Sequence, residues 1–494
     1  MRRLLSAFAV VAGLLAAGTM SCTFHVGGVA LGFDSDASVQ DLAGADLAGA
    51  DLAPPPPVDL AGICNGGATS GCASDGTTLL VCENGQPVAT VCTDGCSSDG
   101  TPHCKQFDPG GVAAPSDYLA SGLVDVVIPA NTTAVFNTDT GEINTPARQG
   151  GLGNNNGIGF RQVTQPGSTI SVGIFSMKSL TLSDGAILNV VGSRPISIVT
   201  SGDIVLNGTI DVLGSCVVGS PVAGGAPGGA GQAAGGNAGG GTGGGKPGQF
   251  AGGGTGGGGG GGYGEHGGAG AASFFSSTAG GPGGVRFGDL SAVDPILGGG
   301  SGGGSGAAGV GVLGGAGGSG GGAVQLASNG GVTLGSPAII QAGGCHGSPG
   351  SAGVPVAGGG GGSGGSVLIE GRTVQLNGGA IIAVNGGGGG GGGGGGPGED
   401  GPDNQDAAAG GNSGSGGPGS RGGDGGHTTS LAGDPGDAPS GGEQGGGGGG
   451  GVGRIALKSK TGLVLMMGVN LSPEVGETLQ GHPSPATVGM AQFH

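Results

Sequence analysis

The sequence predicts an all-β fold: a parallel β-helix or solenoid-like body with long glycine-rich inserts, preceded by a small disulfide-rich module. Three observations carry this expectation. Of 494 residues, 139 are Gly and 28 are Pro, about a third of the chain and past the roughly 25–30% typical of low-complexity composition. Short β-branched runs recur between the glycine tracts. Six cysteines crowd between Cys64 and Cys104. With no Trp, two Tyr and 9% charged residues, an ordinary large globular enzyme is disfavoured. Collagen is disfavoured too, because Gly does not recur at every third position.

Net charge is −18, from 14 basic and 32 acidic residues. Phosphate recognition needs clustered Lys and Arg, and none occurs between Arg3 and Lys105, so nucleic acid is excluded as a partner.

Residues 1–21 have the anatomy of a secretory signal peptide. Arg2 and Arg3 form the positive start, Leu4 to Ala17 the apolar stretch, and Gly18 to Ser21 the small-residue exit. The apolar run is shorter than the about 20 residues of a membrane span. Cys22 follows at once, and here the segment resembles a bacterial lipoprotein signal. In that family the cysteine becomes the first mature residue and carries acyl chains. Ser21 fits that pattern; Thr19 departs from the Leu usual three residues before the cysteine. The resemblance implies lipid attachment at Cys22, anchoring in the outer membrane or at the cell surface, and the membrane as a partner. Residues 22–62 then read as a tether. Asp41-Leu-Ala-Gly-Ala is repeated from Asp46 and in part from Asp51 and Asp59, around Pro54 to Pro57, and has no core of its own.

Residues 63–106 form the cysteine module. Cys64, Cys72, Cys82, Cys92, Cys96 and Cys104 in an exported chain argue for three disulfides, with fifteen pairings open. Zinc is the rival reading, but only Cys92-x3-Cys96 has ligand spacing, with His103 a lone addition. Two strand-like runs, Thr78 to Cys82 and Val88 to Cys92, flank Glu83-Asn84-Gly85 as in a hairpin.

Residues 107–494 form the body. Strand-like runs at Val124 to Ile128, Ala134 to Phe136, Ser168 to Phe175, Leu180 to Leu182 and Ala186 to Val191 precede a repeat. Its copies are Ile196 to Val212, Ala323 to Ile340, Ser366 to Ile382 and a truncated Arg454 to Leu465. Each has short period-two strands broken at Gly, Asn or Ser-Gly corners. No copy can bury its apolar stripe alone, so neighbouring copies must stack. The inserts between them are 217–322, 343–365 and 386–453. They are either disordered or packed polyglycine-II-like helices of three residues per turn, with Phe274-Phe275 and Val285-Arg-Phe287 as apolar anchors in the first.

The whole arrangement resembles the glycine-rich, PGRS-like surface lipoproteins of myxobacteria and their relatives. The lipoprotein-like start, the Asp-Leu-Ala tether, the six-Cys module, Phe136 to Ile143, Gly192-Ser-Arg-Pro195 and the Gly-bounded repeats carry it. The resemblance implies an exported surface protein with a β-helical body, and no catalytic residue or cofactor transfers with it. The function expected is therefore non-enzymatic, structural or adhesive, with polysaccharide or other cell-surface components as candidate partners.

The alternative is a β-helical carbohydrate-active enzyme or a carbohydrate-binding scaffold. Such an enzyme needs carboxylates paired across a groove, and Asp203, Asp211 and Glu370 are the repeat-borne candidates. They do not share a repeat position. Gly361-Gly-Ser363-Gly-Gly365 matches a nucleophile elbow without the strand–turn–helix context it requires. Gly395-Gly-Pro-Gly-Glu-Asp400 begins like a calcium-binding nonapeptide repeat, with Asp403 and Asp406 as further oxygen ligands. Pro402 replaces its hydrophobic residue and no tandem copy follows.

Cysteine parity completes the reading. With Cys22 lipidated and six cysteines in the module, Cys216 and Cys345 remain. They lie six residues beyond Ile210 and Ile339, in copies whose strands would stack about 4.8 Å apart. The expectation is a Cys216–Cys345 disulfide closing the base of the first insert.

Overall fold

The computed structural model describes residues 64, 70–213, 216, 223–233, 235–274, 278–351, 356–414, 419–438, 444–476 and 484–494. The signal peptide, Cys22 and the tether lie outside them. The chain divides into Met1–Asp59 and Leu60–His494, and the described residues all belong to the second unit, which is almost entirely β.

In the cysteine module, Thr78–Glu83 pairs antiparallel with Gln86–Val91 around Asn84 and Gly85, both at positive φ. That is the backbone a tight hairpin turn demands of its central residues, and Asn-Gly is the pair that adopts it most readily. Ser70–Cys72 adds a third strand. Disulfides join Cys64 to Cys82, Cys72 to Cys96 and Cys92 to Cys104.

The body is organised by two ladders. One sheet of twelve strands carries, in parallel succession, Ser171–Met177, Ile196–Thr200, Ala323–Leu334, Ser366–Leu376, Arg454–Ser459 and Ala486–Met490. The second ladder has six parallel strands: Thr133–Asn137, Ile187–Val191, Thr209–Asp211, Ile339–Gln341, Ile381–Ala383 and Asn470–Ser472. Register is set by apolar columns. Phe175, Ile198, Leu326, Ile369 and Leu457 stand in direct succession on the first ladder. Ala134, Leu188, Ile210, Ile340, Ile382 and Leu471 do so on the second. These columns meet in one buried core. A one-residue slip would turn each column outward, and every large aliphatic side chain kept inside contributes about 1.5–3 kcal/mol.

The repeat alignment is corrected by one position on the second ladder: Ile210 pairs with Ile340, and Thr209 with Ile339. Adjacent isoleucines at 339 and 340 make the two alignments equal in hydrophobic pattern. The stack also begins before the first repeat copy, since Asp125–Ile128 pairs with Ser179–Leu182 and Thr133–Asn137 with Ile187–Val191. It ends after the last copy, with Ala486–Met490 beside Arg454–Ser459.

The outer face of the first ladder is covered as well. Val172, Ile174, Val199, Ala327, Leu368 and Ala456 pack against Phe107, Ala113, Tyr118, Leu290 and Leu297. The strand Phe107–Asp108 pairs antiparallel with Gln492–Phe493. Asp94 fastens the cysteine module to the body: its buried carboxylate meets Arg372 and, at 2.9 Å, Lys460.

The glycine tracts follow a different rule. Gly257 and Gly260 donate to Ala271 and Gly268, Gly258 and Gly261 to Gly358 and Gly361, and Gly259 and Gly262 to Lys246 and Gly243. Three partners are taken in rotation, and partners recur every third residue. Tracts from all three inserts bond one another: Gly258 N–H to Gly358 O, Gly358 N–H to Gly445 O, and Gly448 N–H back to Gly258 O, at 2.9–3.0 Å. Approach is too close for a side chain. A Cβ on Gly258 would lie 2.1 Å from Gly304 O, and one on Gly260 1.9 Å from Gly449 O.

Candidate functional sites

The repeat-borne carboxylates do not converge on a groove. Asp203 Oδ1 accepts the Gly331 N–H at 2.8 Å, fastening a corner where the strand register shifts between Ser328 and Gly331. Asp211 Oδ1 accepts the Leu213 N–H at 2.9 Å. Glu370 is 1% exposed. It accepts the Gly110 N–H at 2.9 Å and Gln325 Nε2 at 2.8 Å, and faces Lys458 Nζ at 3.5 Å. Gln325 in turn accepts the Ser197 hydroxyl. The network ties residue 110 to the outer face of the first ladder.

The acidic trio at 400–406 is also separated by its partners. Asp400 Oδ1 binds His346 Nδ1 at 2.6 Å and accepts the His346 N–H at 2.9 Å. Asp406 Oδ2 accepts Asn404 Nδ2, and Asp403 is exposed. The three do not form a common oxygen cage. For Asp400, burial raises the carboxyl pKa, but the hydrogen bonds and charge of His346 outweigh it and hold the pKa below the usual range. For His346, the Asp400 hydrogen bond outweighs burial and raises the imidazole pKa.

Cys216 and Cys345 are bonded, with Cα atoms 5.4 Å apart across 129 positions of sequence. Asp400 lies beside them, a carboxylate oxygen within 4.8 Å of both sulfurs. A disulfide has no thiolate to offer a metal, so this trio is a cross-link with a carboxylate neighbour rather than a ligand set.

The sequence reading missed a cavity of about 830 Å³ between the turn at 167–170, the glycine block and the segment 287–301. Tyr263 and Phe287 form part of its wall, their rings 4.8 Å apart. Phe287 is half-buried and Tyr263 buried. Gly288 allows this packing: φ there is +73°, and a Cβ would come within 2.9 Å of the Tyr263 ring. Two cations from the first ladder hold the same segment from beneath. Arg454 Nε donates to Phe287 O and Lys458 Nζ to Ala292 O, both at 2.8 Å. The Arg454 guanidinium also lies over the Tyr263 ring, 5.7 Å from its centroid. Asp289, Asp294, Ser168 and Thr242 add carboxylates and hydroxyls to the lining. Of the two apolar islands expected to anchor the first insert, Phe287 is packed, whereas Phe274 is 58% exposed and Phe275 lies outside the described residues.

Among the described residues, no helix is long and apolar enough to cross a membrane. No protein-family model, curated protein or solved structure matches the chain.

Proposed function

We propose that the chain is a non-enzymatic, exported cell-surface lipoprotein with a structural or adhesive role, anchored through acyl chains on Cys22. Its body reads as a parallel β-helix whose inserts pack as polyglycine-II-like helices. The observation that supports this reading is the merging of the three inserts into one hydrogen-bonded block, cross-linked at its base by Cys216–Cys345. Such a block is a rigid platform with few side chains, suited to spacing and contact. The carboxylates that a glycan-active enzyme would use are engaged structurally: Asp203 at a corner, Asp211 at a turn and Glu370 in a buried network.

Fractionation tests the anchor. The full-length protein should sediment with outer membranes and take up labelled fatty acid, and Cys22→Ser should release it; a released wild type, or a Cys22→Ser protein still in the membrane, defeats the reading. Beads coated with the purified protein should adhere to cells or to extracted polysaccharide. Glycan turnover that is lost on Asp203→Asn or Glu370→Gln would instead establish the enzymatic alternative.

A further inference from the structure

The cavity beside Tyr263 and Phe287 combines volume, an aromatic wall and polar lining groups. Its volume of about 830 Å³ falls within the about 300–1,000 Å³ of small-molecule sites. A half-buried aromatic ring lies beside hydroxyls and carboxylates. A pyranose has an apolar C–H face and a polar edge, and such a wall matches both: the ring takes the face, the oxygens take the edge.

Charge narrows the class. Asp289 and Asp294 are exposed at the cavity. The nearby cations are engaged: Arg454 by Phe287 O and the Tyr263 ring, Lys458 by Ala292 O and Glu370, and Arg286 by Glu265 at 3.7 Å. A ligand therefore meets two exposed carboxylates, Asp294 and an Asp289 partly offset by Arg454 and Lys458, and an ammonium group complements them. The Asp289 carboxyl stays ionised: burial raises its pKa, but hydrogen bonds from Ser291 and the charges of Arg454 and Lys458 lower it further. The rim is also preorganised, since the backbone of 287–292 is fastened at both ends to the first ladder, which lowers the cost of ordering on binding.

We infer that this cavity binds a short oligosaccharide bearing free amino groups, with Phe287 against a sugar face and Asp289 and Asp294 receiving the ammonium groups. The inference names a ligand for the adhesive reading and rests on that reading for its biological setting.

Calorimetry on the purified full-length chain tests it with four probes: a β-1,4-glucosamine trimer, its N-acetylated form, cellotriose and trilysine. The glucosamine trimer should bind one to one, and more weakly as salt is raised. Cellotriose and the N-acetylated trimer should bind about tenfold more weakly, the loss expected when a charge-assisted hydrogen bond is removed. Ala292→Trp, at an exposed lining position, should abolish binding. Asp294→Asn, also exposed, should weaken it while leaving the fold unchanged by circular dichroism. No binding by the glucosamine trimer, equal binding by trilysine, or binding unaffected by both variants overturns the inference. Bead adhesion separates it from the broader proposal. Adhesion retained by an Ala292→Trp protein that has lost the trimer leaves the cavity assignment standing and places adhesion on another surface. Trimer binding without any wild-type adhesion defeats the adhesive reading alone.

Discussion

Glu370 and Lys458 face one another on neighbouring parallel strands, in direct register, with Oε1 and Nζ 3.5 Å apart and both side chains buried. Each has further partners: Glu370 holds Gly110 N–H and Gln325, and Lys458 holds Ala292 O. Truncating one member leaves the other as a buried charge without its counterion, which costs about 3–5 kcal/mol. Glu370→Ala should therefore lower the denaturant midpoint strongly, as read by circular dichroism. The pair Glu370→Leu with Lys458→Met should recover much of the loss, because two apolar residues leave no charge stranded. A double variant no better than the single would show that the hydrogen bonds to residues 110 and 292 dominate instead.

Cys216 and Cys345 close a long loop, so their removal acts chiefly on the unfolded chain. Cys216→Ser with Cys345→Ser should cost about 2–4 kcal/mol, measured by chemical denaturation. Peptide mapping without reduction should recover the 216–345 cross-link from the wild type, and free thiols at both positions would contradict it.

The His346–Asp400 pair gives stability a pH window. The folded pKa of His346 is raised, so its contribution is complete below the ordinary histidine value of 6.5 and fades as pH climbs through the raised one. The folded pKa of Asp400 is lowered, so its contribution is complete above the ordinary 3.8 and fades as pH falls through the depressed one. Thermal melts across pH should show a plateau between these values, with a decline on the alkaline side that His346→Ala removes.

Within the glycine block, position matters more than composition. Gly258→Ala would place a Cβ 2.1 Å from a backbone oxygen, and overpacking of this kind costs about 1–3 kcal/mol. Gly396→Ala has only one neighbour, 3.7 Å away, and should be near neutral. Hydrogen exchange should show amide protection lost around residues 258, 358 and 448 in the first variant and kept in the second.

Much of this organisation could be read from the residues. The β-branched runs mark strands in both ladders, and the inserts end where Ala323, Ser366 and Arg454 open new ones. Asn84-Gly85 marks a hairpin because few other pairs tolerate its dihedrals. Parity and repeat position set Cys216 beside Cys345, which the structure joins, although the alignment behind that step was one residue out at Ile339. Other features left no such trace. Which glycine tract bonds which is invisible, because glycines are interchangeable and carry no pattern of size or polarity. Ala486–Met490 was missed because its Gly and Thr dilute the apolar alternation. The cavity was missed because Tyr263 lies more than twenty positions before the 287–301 segment, and the two are joined by a backbone hydrogen bond from Phe287 to Tyr263, by their ring contact and by cations from a ladder strand more than 150 positions further on.

The three disulfides of the small module interleave, and interleaving decides how the module responds to a pull. Force applied between Cys64 and Cys104 passes from Cys64 to Cys82 through one bond and from Cys92 to Cys104 through another. Only the span from Cys82 to Cys92 can then lengthen, to about 33–36 Å. Without the bonds, the whole segment could be drawn out to roughly four times that distance. Under tension the module is thus a link of limited reach, which yields only at its hairpin and then passes load onward to the body.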